Sequence, residues 1–368
     1  MESESLSRHL GSCSKAVFKG IAGVVLALVV CQIVAARVFS FTQASDPVLG
    51  SVFTPGSTVH YQLEGRGVST WAEHGVRGAA TRWETTSPRV LVLGDSFTEA
   101  LQVDDDQVYT AVAARALQEA GLNVAVLNFG RSSASVADYI QWVGSCKSVF
   151  APSWVVIQVQ QQDFTEDAWK TNKSVKSAAY FTRDTGSSEL RLVAPAAEPK
   201  KEKDIVRRTM DRARNAVALF QFALRRVEEL TLWVKREPPL FRAPVPKPPR
   251  ATTNEEGWRA FPVAEELDWL KKAYDGRVSL LYLSEFDPAH PGTPTPFESY
   301  LADLCAKRGI GFAATSTKYA SLAGTGEAPF GFPNSNFNRG HMNVVGHRLA
   351  AAALSDELKR VCAEHGLH

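Results

Sequence analysis

The string Arg89-Val90-Leu91-Val92-Leu93-Gly94-Asp95-Ser96-Phe97-Thr98 sets a hydroxyl where it can act as a nucleophile. An apolar run of Val and Leu closed by Gly reads as an inner strand, and the amphipathic stretch after it reads as a helix. Ser96 then occupies a strand-to-helix turn, its Oγ projecting from the carboxyl edge of a sheet beside the free N–H groups of a helix N-terminus. An alcohol so placed attacks an electron-poor centre once a base takes its proton, and fixed donors hold the oxyanion that forms.

Three further segments follow in order. Val124-Ala125-Val126-Leu127-Asn128-Phe129-Gly130 reads as a second strand ending in Gly. Val155-Val156-Ile157-Gln158-Val159 reads as a third, followed by Gln160-Gln161-Gln162-Asp163. Near the end, Asn338-Arg339-Gly340-His341-Met342-Asn343 leads through His347 into an Ala-rich helix. Together these segments resemble the four sequence blocks of the SGNH (GDSL-type) hydrolases, from about Gly75 to the C-terminus with one long insertion.

The resemblance implies that Ser96 is the nucleophile and His341 the general base, with the N–H groups of Ser96 and Gly130 in the oxyanion hole. Two positions depart from the pattern. Gln162 stands where the family has an Asn as third oxyanion donor; it carries the same amide on a stem one methylene longer. Asn338 stands three residues before the histidine, where the family has the Asp that orients the imidazole. An Asn there brings an acceptor but no charge, and in one well-studied triad an Asp-to-Asn change costs about four orders of magnitude. The expectation is a Ser–His dyad, with Asn338, a backbone carbonyl or a carboxylate from elsewhere holding the ring. Asp287 is one candidate carboxylate. Asp95 and Asp163 read as hydrogen-bonding turn residues and His347 as structural.

These residues need a scaffold. Strands over Val90–Leu93, Val124–Gly130, Val155–Val159, Val278–Leu283 and Ile310–Ala314 alternate with helices, among them one closing at Trp269–Tyr274, Pro296–Arg308 and Val344–Glu364. The alternation predicts an α/β fold, a three-layer α/β/α sandwich with a mostly parallel central sheet, with the site beyond the carboxyl ends of the strands. The chain has 368 residues, 45% of them hydrophobic, which suffices for one sizeable core and an accessory region. The net charge of +2 argues against nucleic acid as a partner. No Cys-x-x-Cys pair or His-Glu-x-x-His helix occurs, so neither metal nor other cofactor is expected.

Residues 16–39 are almost wholly apolar, long enough to cross a bilayer, and Arg8, Lys15 and Lys19 precede or open them. The positive-inside rule then predicts an uncleaved, single-pass, N-in anchor in a bacterial inner membrane, with residues 1–15 cytoplasmic and the remainder periplasmic. Of the five cysteines, Cys146, Cys305 and Cys362 fall outside the membrane and form at most one disulfide. Residues 40–87 read as a stalk passing into an edge layer near Gly75-Val76-Arg77-Gly78, and residues 88–368 as the hydrolase domain.

The insertion lies at about 170–255. It reads as a hairpin from Tyr180 to Val193, a long helix over Lys203–Lys235 with a basic polar face, and a Pro-rich connection over Pro238–Pro249. Location and chemistry together predict an extracytoplasmic serine esterase acting on an O-acyl (O-acetyl) group, and the resemblance to related anchored proteins implies a cell-envelope or exported polysaccharide as its carrier. Its partners would be the acylated carbohydrate, the membrane and neighbouring proteins of envelope-polysaccharide assembly. Two alternatives stand beside it: an O-acyltransferase of the same mechanism, and a catalytically silent glycan-binding or scaffold protein.

Overall fold

In a computed structural model, the described residues are 19–33, 43–78, 88–165, 168–169, 179–183, 189–194 and 255–367, apart from positions 47, 63, 336 and 337. The chain divides into two units, Met1–Phe41 with Lys200–Arg242, and Thr42–Pro199 with Ala243–His368. In the first, residues 19–33 are helical (α1), and its Ile21, Val24, Leu26 and Ile33 are exposed. No helix among the described residues is long and apolar enough to cross a membrane. The long basic helix and the Pro-rich connection expected from the sequence lie outside the described residues.

The second unit is built on five parallel strands. In chain order they are β5 (Arg89–Gly94), β6 (Ala125–Gly130), β7 (Trp154–Val159), β10 (Val278–Tyr282) and β11 (Gly311–Ala314), in the spatial order β11-β10-β7-β5-β6. Register aligns Gly94 with Gly130 across β5 and β6, and Leu93 with Ile157 across β5 and β7. The chain leaves β5 to one side for β6 and returns to the other for β7. The carboxyl end of β5 is therefore the switch point where open α/β sheets place their ligands.

Alternate residues of each inner strand feed two cores. Leu91, Leu93, Leu127, Phe129, Ile157 and Leu280 pack beneath α4 (Val136–Gln141), α5 (Val143–Phe150), α8 (Val263–Ala273) and α9 (Pro296–Arg308). Val90, Val92, Val156 and Leu281 pack beneath α3 (Tyr109–Glu119) and α11 (Val344–His365). Burial on both faces is why these strands read as continuous apolar runs rather than alternating ones. Cys146, Cys305 and Cys362 are buried free thiols, and burial pushes those of Cys146 and Cys305 up to about 12.

Of the segment read as a stalk, the described residues from 43 to 78 are folded into this unit. It forms two antiparallel hairpins, β1 (Gln43–Asp46) with β2 (Gly50–Phe53) and β3 (Thr58–Tyr61) with β4 (Gly67–Thr70). Arg77, buried, donates from its backbone N–H to Asn128 O at 3.0 Å and so lines the outer edge of β6. A third hairpin, β8 (Tyr180–Arg183) with β9 (Leu190–Val193), falls where the sequence predicts it.

Candidate active site

Ser96 opens a single helical turn, α2 (Ser96–Glu99), directly after β5. The cap is Asp95: its Oδ1 accepts the Phe97 N–H at 2.9 Å, and its carbonyl accepts the Thr98 and Glu99 N–H groups at 3.2 and 2.9 Å. Asp95 thus does the capping, and the Ser96 hydroxyl is spared that duty. At the other end of the turn, the Arg77 guanidinium donates to the carbonyls of Glu99 and Ala100, and to Val103 O at 2.7 Å. A cation on the last carbonyls satisfies groups that a helix leaves open and suits the negative end of its dipole.

A buried polar network holds the turn from below. Gln158, the penultimate residue of β7, accepts through Oε1 from Asp95 N–H at 3.2 Å and Thr98 Oγ at 2.9 Å. Thr98 Oγ also bonds the Tyr109 hydroxyl at 2.7 Å. Asn128 Nδ2 donates to Thr98 O at 2.8 Å and to Thr110 Oγ at 3.0 Å. His347, fully buried against the Tyr109 ring, accepts the Tyr109 N–H on Nδ1 at 3.4 Å, and burial drives its pKa down to about 3. It is a neutral structural histidine, as its place in the last helix suggests.

His341 comes to the nucleophile from the loop before α11. Its carbonyl accepts the Gly331 N–H at 3.0 Å, and Phe330 and Met342 form a β-bridge. Asn343 closes the loop by capping α11 through Oδ1, at 2.9 Å to Val345 N and 3.1 Å to Gly346 N, while its Nδ2 donates to Ala328 O at 2.8 Å. So held, the imidazole places Nε2 at 3.0 Å from Ser96 Oγ. The Phe97 ring lies beside it, 5.1 Å between centroids.

The acid is Glu64, in the turn between β3 and β4. Its Oε2 lies 2.6 Å from His341 Nδ1, and its Oε1 accepts the His341 backbone N–H at 3.0 Å. A carboxylate astride both groups fixes the ring plane and the tautomer: Nδ1 carries the proton that Glu64 accepts, and Nε2 is left to accept from Ser96. Both side chains are largely sheltered, His341 at 27% and Glu64 at 17% exposure. The backbone shape here needs glycine, since a Cβ on Gly340, at φ +87°, would come 2.1 Å from Glu64 Oε1.

This corrects the expectation for Asn338. Its backbone is left-handed, φ +55°, its N–H donates to Phe330 O at 3.1 Å, and Nδ1 of His341 faces Glu64 instead. Asp287 is engaged elsewhere, at 2.9 Å from His290 Nδ1 on an exposed loop. A carboxylate upstream of the nucleophile lies outside the local histidine motif. Its one sequence signal is the pair Gly65 and Gly67 beside an acidic residue in a short turn.

The expected oxyanion donors fare differently. Ser96, at the first position of α2, offers an N–H of the kind that has no intrahelical partner. Gly130 ends β6 where α2 presses on it, and a Cβ there would meet Glu99 N at 2.0 Å. Its N–H, however, donates to Asn128 Oδ1 at 3.1 Å and is engaged within the strand end. Directly beyond it the turn Arg131–Ala134, closed by Ala134 N–H to Arg131 O at 3.1 Å, carries Ser133 at φ +67°. Ser132 Oγ in that turn donates to Glu99 Oε2, and burial raises the Glu99 pKa against the lowering effect of that bond. Gln162, half-buried in α6 (Gln161–Phe164), leaves the end of β7 beside β5; Asp163 caps α6 by accepting the Gln160 N–H at 2.6 Å.

A hydroxyl, an imidazole on it and a carboxylate on the imidazole meet at the switch point of a parallel three-layer sandwich, an arrangement that can activate a serine for attack on an ester carbonyl. The chain is similar to several solved structures, among them the following three. One is a member of the lipolytic G-D-S-L family from Veillonella parvula, 11% identical, covering 74% of this chain and 98% of that one at a TM-score of 0.34. Another is the lipase/acylhydrolase from Enterococcus faecalis, 13% identical, covering 74% and 96% at 0.37. The third is an acetyl xylan esterase from Geobacillus stearothermophilus, 14% identical, covering 74% and 95% at 0.35. No protein-family model and no curated relative matches the sequence.

Proposed function

We propose that the protein is a serine esterase that removes O-acyl, in particular O-acetyl, groups from a cell-envelope or exported polysaccharide, held at the outer face of a bacterial inner membrane by its N-terminal segment. The observation that carries the chemistry is the contact of Ser96 Oγ with His341 Nε2 at 3.0 Å while Glu64 occupies Nδ1. Ser96 attacks the ester carbonyl as its proton passes to Nε2, and Glu64 stabilises the imidazolium. The tetrahedral oxyanion rests on the Ser96 N–H and the Gln162 amide. Nε2–H then protonates the leaving sugar oxygen, and water, deprotonated by the same nitrogen, releases the carboxylate and restores Ser96.

The anchor is supported by the apolar run at residues 16–39 with its basic flank, and by the exposed apolar side chains of α1. A polysaccharide substrate is the reading that the resemblance to anchored relatives suggests for that location. A silent glycan-binding protein loses one of its two motives, because the charge missing at Asn338 is supplied by Glu64; the other is Gln162.

The test is hydrolysis by the purified full-length protein in detergent, with 4-nitrophenyl acetate and then with an O-acetylated polysaccharide. The expected result is acetate release from both that is abolished by Ser96→Ala. Acyl transfer seen only in the presence of a glycan acceptor would make the protein the transferase instead, and turnover surviving in Ser96→Ala would remove Ser96 from the mechanism.

A further inference from the structure

Among the described residues, the turn that carries the carboxylate facing His341 shares no strand pairing with the histidine loop. The turn is Tyr61–Gly67, between β3 and β4, and the histidine lies 277 residues further on. Its downstream arm is fixed: Asp104 Oδ1 accepts the Val68 N–H at 2.8 Å and Asp105 Oδ2 accepts the Thr70 N–H at 2.9 Å. Its tip needs a separate tether to the loop that carries the histidine.

We propose that Asn334 is that tether, a positioning residue for the catalytic acid. Its side-chain amide pairs with the main chain on both sides of Glu64. Oδ1 accepts the Gly65 N–H at 2.8 Å, while Nδ2 donates to Gly65 O at 3.0 Å and to Gln62 O at 3.3 Å. The amide acts as one more peptide group, laid against the turn in the two-pronged way that strands pair.

The local sequence is built to present it. Phe332-Pro333-Asn334-Ser335 is a turn closed by the Ser335 N–H to Phe332 O at 2.9 Å and by the Phe332 N–H to Ser335 Oγ at 3.1 Å. Proline suits the second position of such a turn because its ring presets φ. The fit on the opposite side is equally close. Gly65 has φ +71°, and a Cβ there would come 2.6 Å from Gln102 O and 2.7 Å from the Phe332 ring. Asn334 therefore joins the acid's turn to the histidine loop, while Gly65 sets that turn against the loop that follows the nucleophile helix.

The consequence for catalysis is specific. Glu64 contributes when the imidazolium forms, so a loosened turn costs transition-state stabilisation and leaves ground-state substrate binding alone. Misplacing a catalytic group by about 1 Å can cost on the order of a hundredfold. The inference rests on Ser96, His341 and Glu64 acting together, and its test separates the two.

The experiment is steady-state hydrolysis of 4-nitrophenyl acetate by the full-length protein in a double-mutant cycle of Asn334→Ala with Glu64→Gln. Asn334→Asp, of the same shape but lacking both donors, is run in parallel as a second variant. The expected result is a fall in kcat of about 10- to 100-fold for either change at 334 with KM within about twofold, and no further loss when it is added to Glu64→Gln. Two results would overturn the proposal: wild-type kcat in the folded 334 variants, or a loss that multiplies fully onto that of Glu64→Gln. If Ser96→Ala and Glu64→Gln themselves keep wild-type rates, the underlying mechanism fails instead.

Discussion

Glu64 and His341 meet through two contacts, Oε2 to Nδ1 at 2.6 Å and Oε1 to the backbone N–H at 3.0 Å, from opposite ends of the chain. The acid of the site comes from before the nucleophile and from a hairpin turn, while the base comes from the loop before the last helix. The hairpin β3–β4 thereby contributes a side chain to the candidate site.

The first expected outcome concerns the acid. Glu64→Gln keeps the shape and removes the charge, so kcat should fall steeply, by about 10,000-fold if it follows the triad in which the same neutralisation has been made. Asn338→Asp, by contrast, should leave kcat within about twofold, because the ring nitrogen already has its partner. Steady-state rates of the two variants, side by side, check the assignment.

Gly340→Ala tests how tightly the carboxylate is packed. The new methyl would require φ +87° of an L-residue and would crowd Glu64 Oε1. The strain of such a backbone is about 1–3 kcal/mol. Thermal unfolding should show a lowered Tm, and kcat should fall further than that stability loss explains.

Gln158→Ala should destabilise the whole unit by about 2–4 kcal/mol, because Asp95 N–H and Thr98 Oγ both lose a buried acceptor. Urea unfolding measures it. A loss below about 1 kcal/mol would mean that the network under the nucleophile carries little of the fold.

His347 sets a pH dependence of stability. Its ordinary value is 6.5 and burial holds it near about 3 in the folded protein, so the unfolded chain binds the extra proton between those values. Stability from this group is complete above pH 6.5 and declines as pH falls toward 3, by up to about 1.4 kcal/mol per unit. Exchanging His347 for Gln should flatten the fall of Tm between pH 6.5 and 4, measured by calorimetry.

The sheet and the place of Ser96 at a strand end are legible in the sequence for a physical reason, whereas His341 is implied only by the resemblance of its segment to a family block. Parallel strands buried on both faces appear as unbroken runs such as Val90–Leu93, and the residues at their ends fall at fixed points of the chain. Glu64 is not legible that way. Its contact with His341 is made by tertiary packing of a turn, where one acidic residue in a Gly-rich stretch looks like any solvated loop. The same holds for Gly130. A glycine at a strand end suggests an open amide, yet the side chain of Asn128, two residues earlier, folds back onto that N–H. Local spacing reports the elements, while side-chain pairing across elements depends on how they dock.

The most direct test of the central claim is labelling with a fluorophosphonate, read by peptide mass spectrometry on the folded full-length protein and on His341→Ala and Glu64→Gln. An activated hydroxyl at position 96 predicts a single adduct on Ser96 in the wild type, formed much more slowly in Glu64→Gln and absent in His341→Ala. An adduct on another residue, or equal labelling of Ser96 in all three proteins, would contradict it.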